Sequence, residues 1–394
     1  MKNLVVVSHS FRLDSRLMQK ALRESRYLAV VYPSPWYYNL EEKEIYSNFD
    51  CSFHKKAVSR FARDLKDKTG LELHVIKSNT PCSDITSFCK ASGVNAIYYD
   101  TPLFGKDELR FNGVRVIKVD SDSYDDRCEK MTAKSRWVHW SKNRKIVDYS
   151  SEERVETYEV IGEKFSISDQ ESDSLEEELS QFWKRFESKL VSYYETRNMR
   201  DGSLRISKFL HHGVVDGPKL ISNILSVCPE FIDKENPMVP VLRQLAFREI
   251  NIRKSRIKNL SLTSDAECWA RALLDQKSFE NLLNSRTENK FTKEQLFAGE
   301  TGDETLDEEI KSCKKERWLP NRIRMWLAGE VYWNTGGGLE SLKTLVEFFD
   351  RFCDDAQSPN NWVGCTESMK MQYGKVMRFN KKRTFRLISG KEII

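Results

Sequence analysis

Serines and arginines gather in one short stretch of this chain in a pattern able to hold an anion. Residues 193–198 read YYETRN and residues 202–213 read GSLRISKFLHHG. Ser203 and Ser207 bring hydroxyls, Arg197 and Arg205 bring guanidinium groups, and a helical pattern starts at Ser207. Hydroxyls and backbone N–H groups at a helix start, with an arginine nearby, suit a phosphate or carboxylate. Ser207 also reads as an ordinary N-cap, so both meanings stay open at this point. Metal chemistry finds no such cluster: the nine cysteines stand at 51, 82, 89, 128, 228, 268, 313, 353 and 365 without a CxxC pair, and no histidine follows His212. No metal site is expected from these spacings.

Charge is distributed rather than dominant. Sixty-four basic and 59 acidic residues leave a net +5. Acids are dense in residues 151–190. Bases are dense in 243–258 (RQLAFREINIRKSRIK) and 375–386 (KVMRFNKKRTFR). Separate basic segments fit a polyanion-binding face, and they equally fit a solvated helix face and a charged tail. No apolar run reaches the length of about 18 residues that spans a membrane. The start, MKNLVVVSHSFRLDSR, does not read as a signal peptide. A protein that is not secreted, cytoplasmic or with the nucleoid or nucleus, with reduced thiols, is expected.

Two different periodicities must position these residues. Short apolar runs at 4–7, 28–32, 73–76, 96–99 and 114–119 alternate with helical patterns at 13–25, 53–68 and 84–91. This predicts an N-terminal α/β domain over 1–130, a doubly wound parallel sheet. There is no GxGxxG after the first run, so a nicotinamide site is unsupported. Residues 131–175 are polar and read as a linker. Over 176–394 helical spacing takes over, at 176–198, 216–227, 239–258, 265–285, 305–315, 320–332 and 339–353, and predicts an all-α domain.

Four segments of the helical half resemble the photolyase/cryptochrome superfamily. The GSLRISKFLHHG stretch resembles the small-residue loop that wraps the FAD pyrophosphate. Thr301-Gly302 with Asp307, followed by Trp318-Leu319-Pro320-Asn321-Arg322-Ile323-Arg324-Met325, resembles the family's TG-x-x-x-x-D and W-x-H-N-R-x-R-M runs. Residues 354–365, DDAQSPNNWVGC, resemble the flavin-ring loop, especially in its class II form, an echo continued at 373–376 and 378–380 and at Cys268-Trp269-Ala270-Arg271. Residues 243–249, RQLAFRE, occupy the place of the helix that lines the lesion pocket. The resemblance covers about residues 190–386; the N-terminal half adds only architecture and Arg12-Leu13-Asp14.

The resemblance implies a helical FAD-binding domain and light-driven repair of cyclobutane pyrimidine dimers by electron transfer to a flipped-out lesion. It implies that Tyr193, Arg197, Ser203, Arg205 and Ser207 contact the FAD phosphates and that Leu204 and Ile206 also bind the cofactor. It further implies that Arg324 forms a salt bridge with Asp354 or Asp355 beside the isoalloxazine, that Asn360 faces its N5, and that Asn321 binds the cofactor and borders the lesion pocket. Gln244, Phe247, Arg248, Arg322 and Met325 would line the lesion pocket. Trp318, Trp333 and Trp362 are candidates for an electron-transfer route, with core packing as their other reading. An antenna chromophore in the α/β domain is left open, the partner implied is DNA bearing ultraviolet lesions, and a monomer is expected.

Several positions depart from the family pattern. Gln244 replaces a usual Glu, Phe247 a usual Trp, Pro320 a common His, and Glu367 a Trp of the electron-transfer route. The missing pocket histidine disfavours repair of (6–4) photoproducts. Gln244 and Phe247 keep a second function in play, a cryptochrome-like light sensor or a flavoprotein without dimer repair. The short stretch after Arg386 predicts no long signalling extension.

Overall fold

The structure is a computed structural model that describes residues 1–7, 10–33, 52–77, 81–100, 113–119, 124, 131–145, 155–190, 192–196, 199–228, 232, 236–257, 260, 266–355 and 358–373. The chain divides into two compact units, one made of Met1–Arg185 and Ile206–Ile250, the other of Phe186–Arg205 and Asn251–Ile394.

The first unit is built on a sheet of six strands: β1 (Lys2–Val6), β2 (Tyr27–Pro33), β3 (Leu73–Ile76), β4 (Ala96–Asp100), β5 (Arg115–Val119) and β6 (Glu163–Lys164), in the order β5-β4-β1-β2-β3-β6. Five strands run parallel, and β6 closes one edge antiparallel to β3. The central strands lack the in-out alternation of a one-sided sheet. Leu4, Val5, Val6, Leu28, Ala29, Val30 and Val31 are all buried because helices cover both faces. Those crossovers are α1 (Arg16–Glu24), capped by Ser15, α2 (Ser52–Thr69) and α3 (Pro81–Ser92). This is the expected doubly wound α/β architecture. The two-residue β6 gave no sequence signal of its own; it is held by His74↔Lys164 and Val75↔Glu163 pairing.

Within residues 131–175 the structure forms α4 (Ala133–Lys142), whose Trp137 and Trp140 are buried. Then follow α5 (Asp169–Leu190), the one-turn α6 (Tyr193–Thr196) and the short α7 (Ser207–His211). Part of the acid-rich stretch pairs with α2 in the first unit: Asp173 with Arg63 at 2.6 Å, Glu176 with Arg60, and Glu178 with Lys56 at 2.7 Å. Helices α8 (Gly217–Val227) and α9 (Val239–Ile257) continue the chain. Asp216 caps α8 by accepting from the Lys219 N–H, and Arg12 holds the same carboxylate while donating to the Gly213 carbonyl at 2.7 Å.

The second unit is helical: α10 (Ala266–Leu273), α11 (Gln276–Asn284), α12 (Lys293–Ala298), α13 (Glu304–Glu316), α14 (Asn321–Asn334), α15 (Gly338–Phe352) and α16 (Ser358–Tyr373). Its core gathers Trp269, Leu282, Trp326, Leu342, Phe348 and Cys353. Two expectations are corrected here. The single helix expected over 265–285 breaks at Leu274–Asp275, where the Asp275 carboxylate accepts from the Ser278 N–H at 2.8 Å and starts a new helix. The loop expected over 354–365 is helical from Ser358; a proline in a helix's first turn lacks only an N–H that would have no partner there. Among the described residues no helix is long and apolar enough to cross a membrane.

Candidate functional site

The junction of α13, α14 and α15 in the helical unit concentrates charge. Helix α13 ends at Arg317, which adopts the left-handed conformation (φ 55°, ψ 28°). Its Nε donates to Asp354 Oδ1 at 3.0 Å, its Nη1 to the Arg351 carbonyl at 2.9 Å, and its own carbonyl accepts from the Asp354 N–H at 2.9 Å. One turn into α14, Arg324 donates to the Leu319 carbonyl at 3.0 Å and to Asp355 Oδ1 at 2.6 Å. The expected arginine–aspartate pair is therefore Arg324 with Asp355, while Asp354 belongs to Arg317. Burial works against the Arg324 charge, but the Asp355 carboxylate more than offsets it and raises the guanidinium pKa. Arg324 also lies 5.5 Å over the Phe349 ring.

The anion-loop residues of this unit are partly organised. Gly202 is buried, and a Cβ there would stand 1.9 Å from the Thr196 carbonyl oxygen, so no other residue permits this close turn. Arg205 takes φ 51°, its N–H meets Ser203 Oγ at 3.2 Å, and its guanidinium lies 4.3 Å over the Trp318 ring. It pairs with Glu316 at 2.8 Å, and its Nε has no hydrogen-bond partner among the described residues. Arg200, which sequence reasoning did not single out, joins the cluster through Glu309 at 2.6 Å and Ser312 at 3.1 Å. Tyr193 is half-buried on α6 and Leu204 is buried. Arg197 lies outside the described residues. In the first unit, Ile206 stands at the N-cap of α7 without a side-chain cap bond, and Ser207 follows as its first residue, exposed; the N-cap reading of Ser207 is corrected by one position.

The remaining expected residues of the helical unit lie in different surroundings. Asn321, Arg322 and Met325 share the first turns of α14 with Arg324; the first is exposed and the other two half-buried. Asn360 falls in the first turn of α16. Trp318 sits beneath Arg205, Trp333 meets Tyr332 edge-on at 5.0 Å, and Trp362 stacks on Trp269 at 5.8 Å with ring planes 2° apart. Trp269 itself is fully buried. Its helical spacing marks core, and nothing in the sequence signals its stacking partner.

The expected lesion-side residues lie on α9 in the first unit. Arg243, Gln244 and Phe247 are exposed on one face, Phe247 to 47%, while Leu245, Ala246 and Glu249 are buried on the other. Arg248 turns back to donate to the Leu210 carbonyl at 3.1 Å. Glu249 forms a buried pair with Arg136 at 2.9 Å, which fixes the helix.

In the helical unit, the FAD implied by the sequence resemblance meets a donor set of the right chemistry. Arg205 Nε, Arg200 and the Ser203 hydroxyl suit a pyrophosphate, and the Arg324–Asp355 pair offers both a donor and an acceptor to a heterocycle edge.

No family model and no curated protein matches this sequence. Solved structures do. A Synechocystis cryptochrome aligns over 98% of this chain and 88% of its own, at 14% identity and a TM-score of 0.63. An archaeal photolyase from Sulfolobus tokodaii, solved with two FAD molecules, aligns over 98% and 87%, at 14% identity and a TM-score of 0.63. A class III photolyase from Agrobacterium tumefaciens aligns over 97% and 85%, at 12% identity and a TM-score of 0.62.

Proposed function

We propose that this chain, which has the photolyase/cryptochrome fold, binds FAD in its helical unit and uses it under light to repair cyclobutane pyrimidine dimers in DNA. The observation that carries the reading is the Arg324–Asp355 pair, 2.6 Å apart with Asp355 only 6% exposed, inside the motif that carries the sequence resemblance. When bound, the flavin supplies the light-driven electron transfer. The protein's residues have simpler tasks. Asp355 holds Arg324 in one orientation, so its remaining N–H groups stay aimed as fixed donors and no solvent has to reorganise. Arg205, Arg200 and Ser203 offer hydrogen-bond donors to the pyrophosphate, with Glu309 and Glu316 holding the two guanidinium groups in place.

On the DNA side, α9 presents an aromatic ring between cations. Phe247 gives a stacking surface for a base taken out of the helix, and the Gln244 amide can hydrogen-bond a pyrimidine carbonyl or N–H. Arg243 adds a phosphate contact. The test uses reduced, FAD-loaded protein and a dimer-containing oligonucleotide under blue light, read by recovery of intact thymines; an unchanged dimer refutes repair.

The Gln244 and Phe247 departures favour a second reading, a light sensor with the same cofactor. It predicts flavin photoreduction without repair and a light-dependent change in partner binding.

A further inference from the structure

The helical unit holds a pair of thiols that the proposed reaction does not use. Cys313 and Cys353 are 0% and 1% exposed, both are free, and their sulfurs lie 3.5 Å apart. The Cys313 thiol also faces the Phe352 carbonyl at 3.6 Å. The backbone around them is already tied together: Arg317, four residues after Cys313, bonds Asp354 and Arg351, the residues that flank 352–353. Cys353 itself is the C-cap of α15, its N–H donating to Phe349 O at 2.9 Å. Closing the 3.5 Å gap to a bond of about 2.05 Å is a movement of about 1.5 Å between segments that these hydrogen bonds already hold together.

We infer that Cys313 and Cys353 form a redox-active dithiol whose disulfide clamps the segment that carries Asp354 and Asp355. The oxidant is a low-molecular-weight disulfide. The thiolate of one cysteine attacks it and releases one small thiol. The second cysteine attacks the mixed disulfide and releases the other. Two protein thiols are oxidised, one external disulfide is reduced, and both protons end on the released thiols. Burial, reinforced by the neighbouring Cys313, pushes the Cys353 thiol pKa up, so the dithiol is the resting form at neutral pH and oxidation is slow without local opening. The cross-link would span a sequence separation of 40 residues and tie the C-terminal turn of α13 to the end of α15. Thiol state would then set how firmly Arg317 and Arg324 are presented with their carboxylates. This inference does not depend on the flavin reading.

The test incubates the full chain with excess glutathione disulfide, quenches by alkylation and maps peptides by mass. A linked Cys313–Cys353 peptide pair is expected, forming faster at pH 9 than at pH 7. The thermal midpoint should rise by about 5–10 °C and fall back with dithiothreitol. Amide exchange at 353–355 should slow in the oxidised protein. Cys313→Ser and, as a second variant with a smaller packing change, Cys353→Ala should each abolish the shift. Oxidation of the exposed Cys268 with no 313–353 link would overturn the inference, as would a link that leaves amide exchange at 353–355 unchanged.

Discussion

Asp355→Asn removes one charge from a pair that is short and shielded. The Arg324–Asp355 contact is 2.6 Å with side-chain exposures of 20% and 6%. At that separation Coulomb attraction is about 6 kcal/mol with an effective dielectric constant near 20. Desolvation of both ions takes back a large share, so the pair's net worth is modest, but an unpartnered guanidinium left in place costs about 3–5 kcal/mol. The Lys77–Glu163 pair is the control: its distance is 2.8 Å, but its side chains are 67% and 75% exposed. Glu163→Gln should therefore be silent, because solvent already screens that charge. The assay is urea unfolding followed by tryptophan fluorescence, run as a cycle of Asp355→Asn, Arg324→Gln and the double variant. A coupling of about 2 kcal/mol or more is expected, since the second substitution removes the stranded charge created by the first. Additive single effects, or equal costs for Asp355→Asn and Glu163→Gln, would refute the argument that shielding decides the strength of this pair.

His54 is buried against Tyr32, at 2.7 Å, and His212, and burial lowers its pKa from 6.5 to about 3. The unfolded chain binds that proton first, so stability is lost as pH falls from 6.5 toward 3, by up to about 5 kcal/mol. Urea midpoints of His54→Gln across this window should be flatter than those of the parent. Gly202→Ala should displace the Thr196 turn and weaken FAD binding at least tenfold by flavin fluorescence titration, because its Cβ meets backbone rather than a yielding side chain. Gln244→Glu should raise dimer turnover by about tenfold, the value of one charge-assisted hydrogen bond to a pyrimidine N–H.

The sheet was legible because strands covered on both faces have a distinctive sequence: Val5, Val6, Val30 and Val31 occur in unbroken runs separated by helix-length segments. Helix type was equally clear in the second half, but helix breaks were not. Asp275 starts a new helix through cap geometry, which periodicity does not record. The motif marks Arg324 as half of a pair, and the adjacent Asp354 and Asp355 are equivalent partners by sequence alone. The Arg317 turn resolves this by taking Asp354 for itself. Arg200, the Cys313–Cys353 contact and the Trp269–Trp362 stack join residues far apart in sequence and carry no local signal.

Photorepair by the reduced, flavin-loaded protein decides between DNA repair and light sensing. Under blue light cyclobutane dimers should disappear from a defined oligonucleotide, with no loss in the dark and a sharp decrease in repair by the Phe247→Ala variant. A protein that binds and photoreduces FAD but leaves every dimer intact would contradict repair, and would assign the same fold to light sensing.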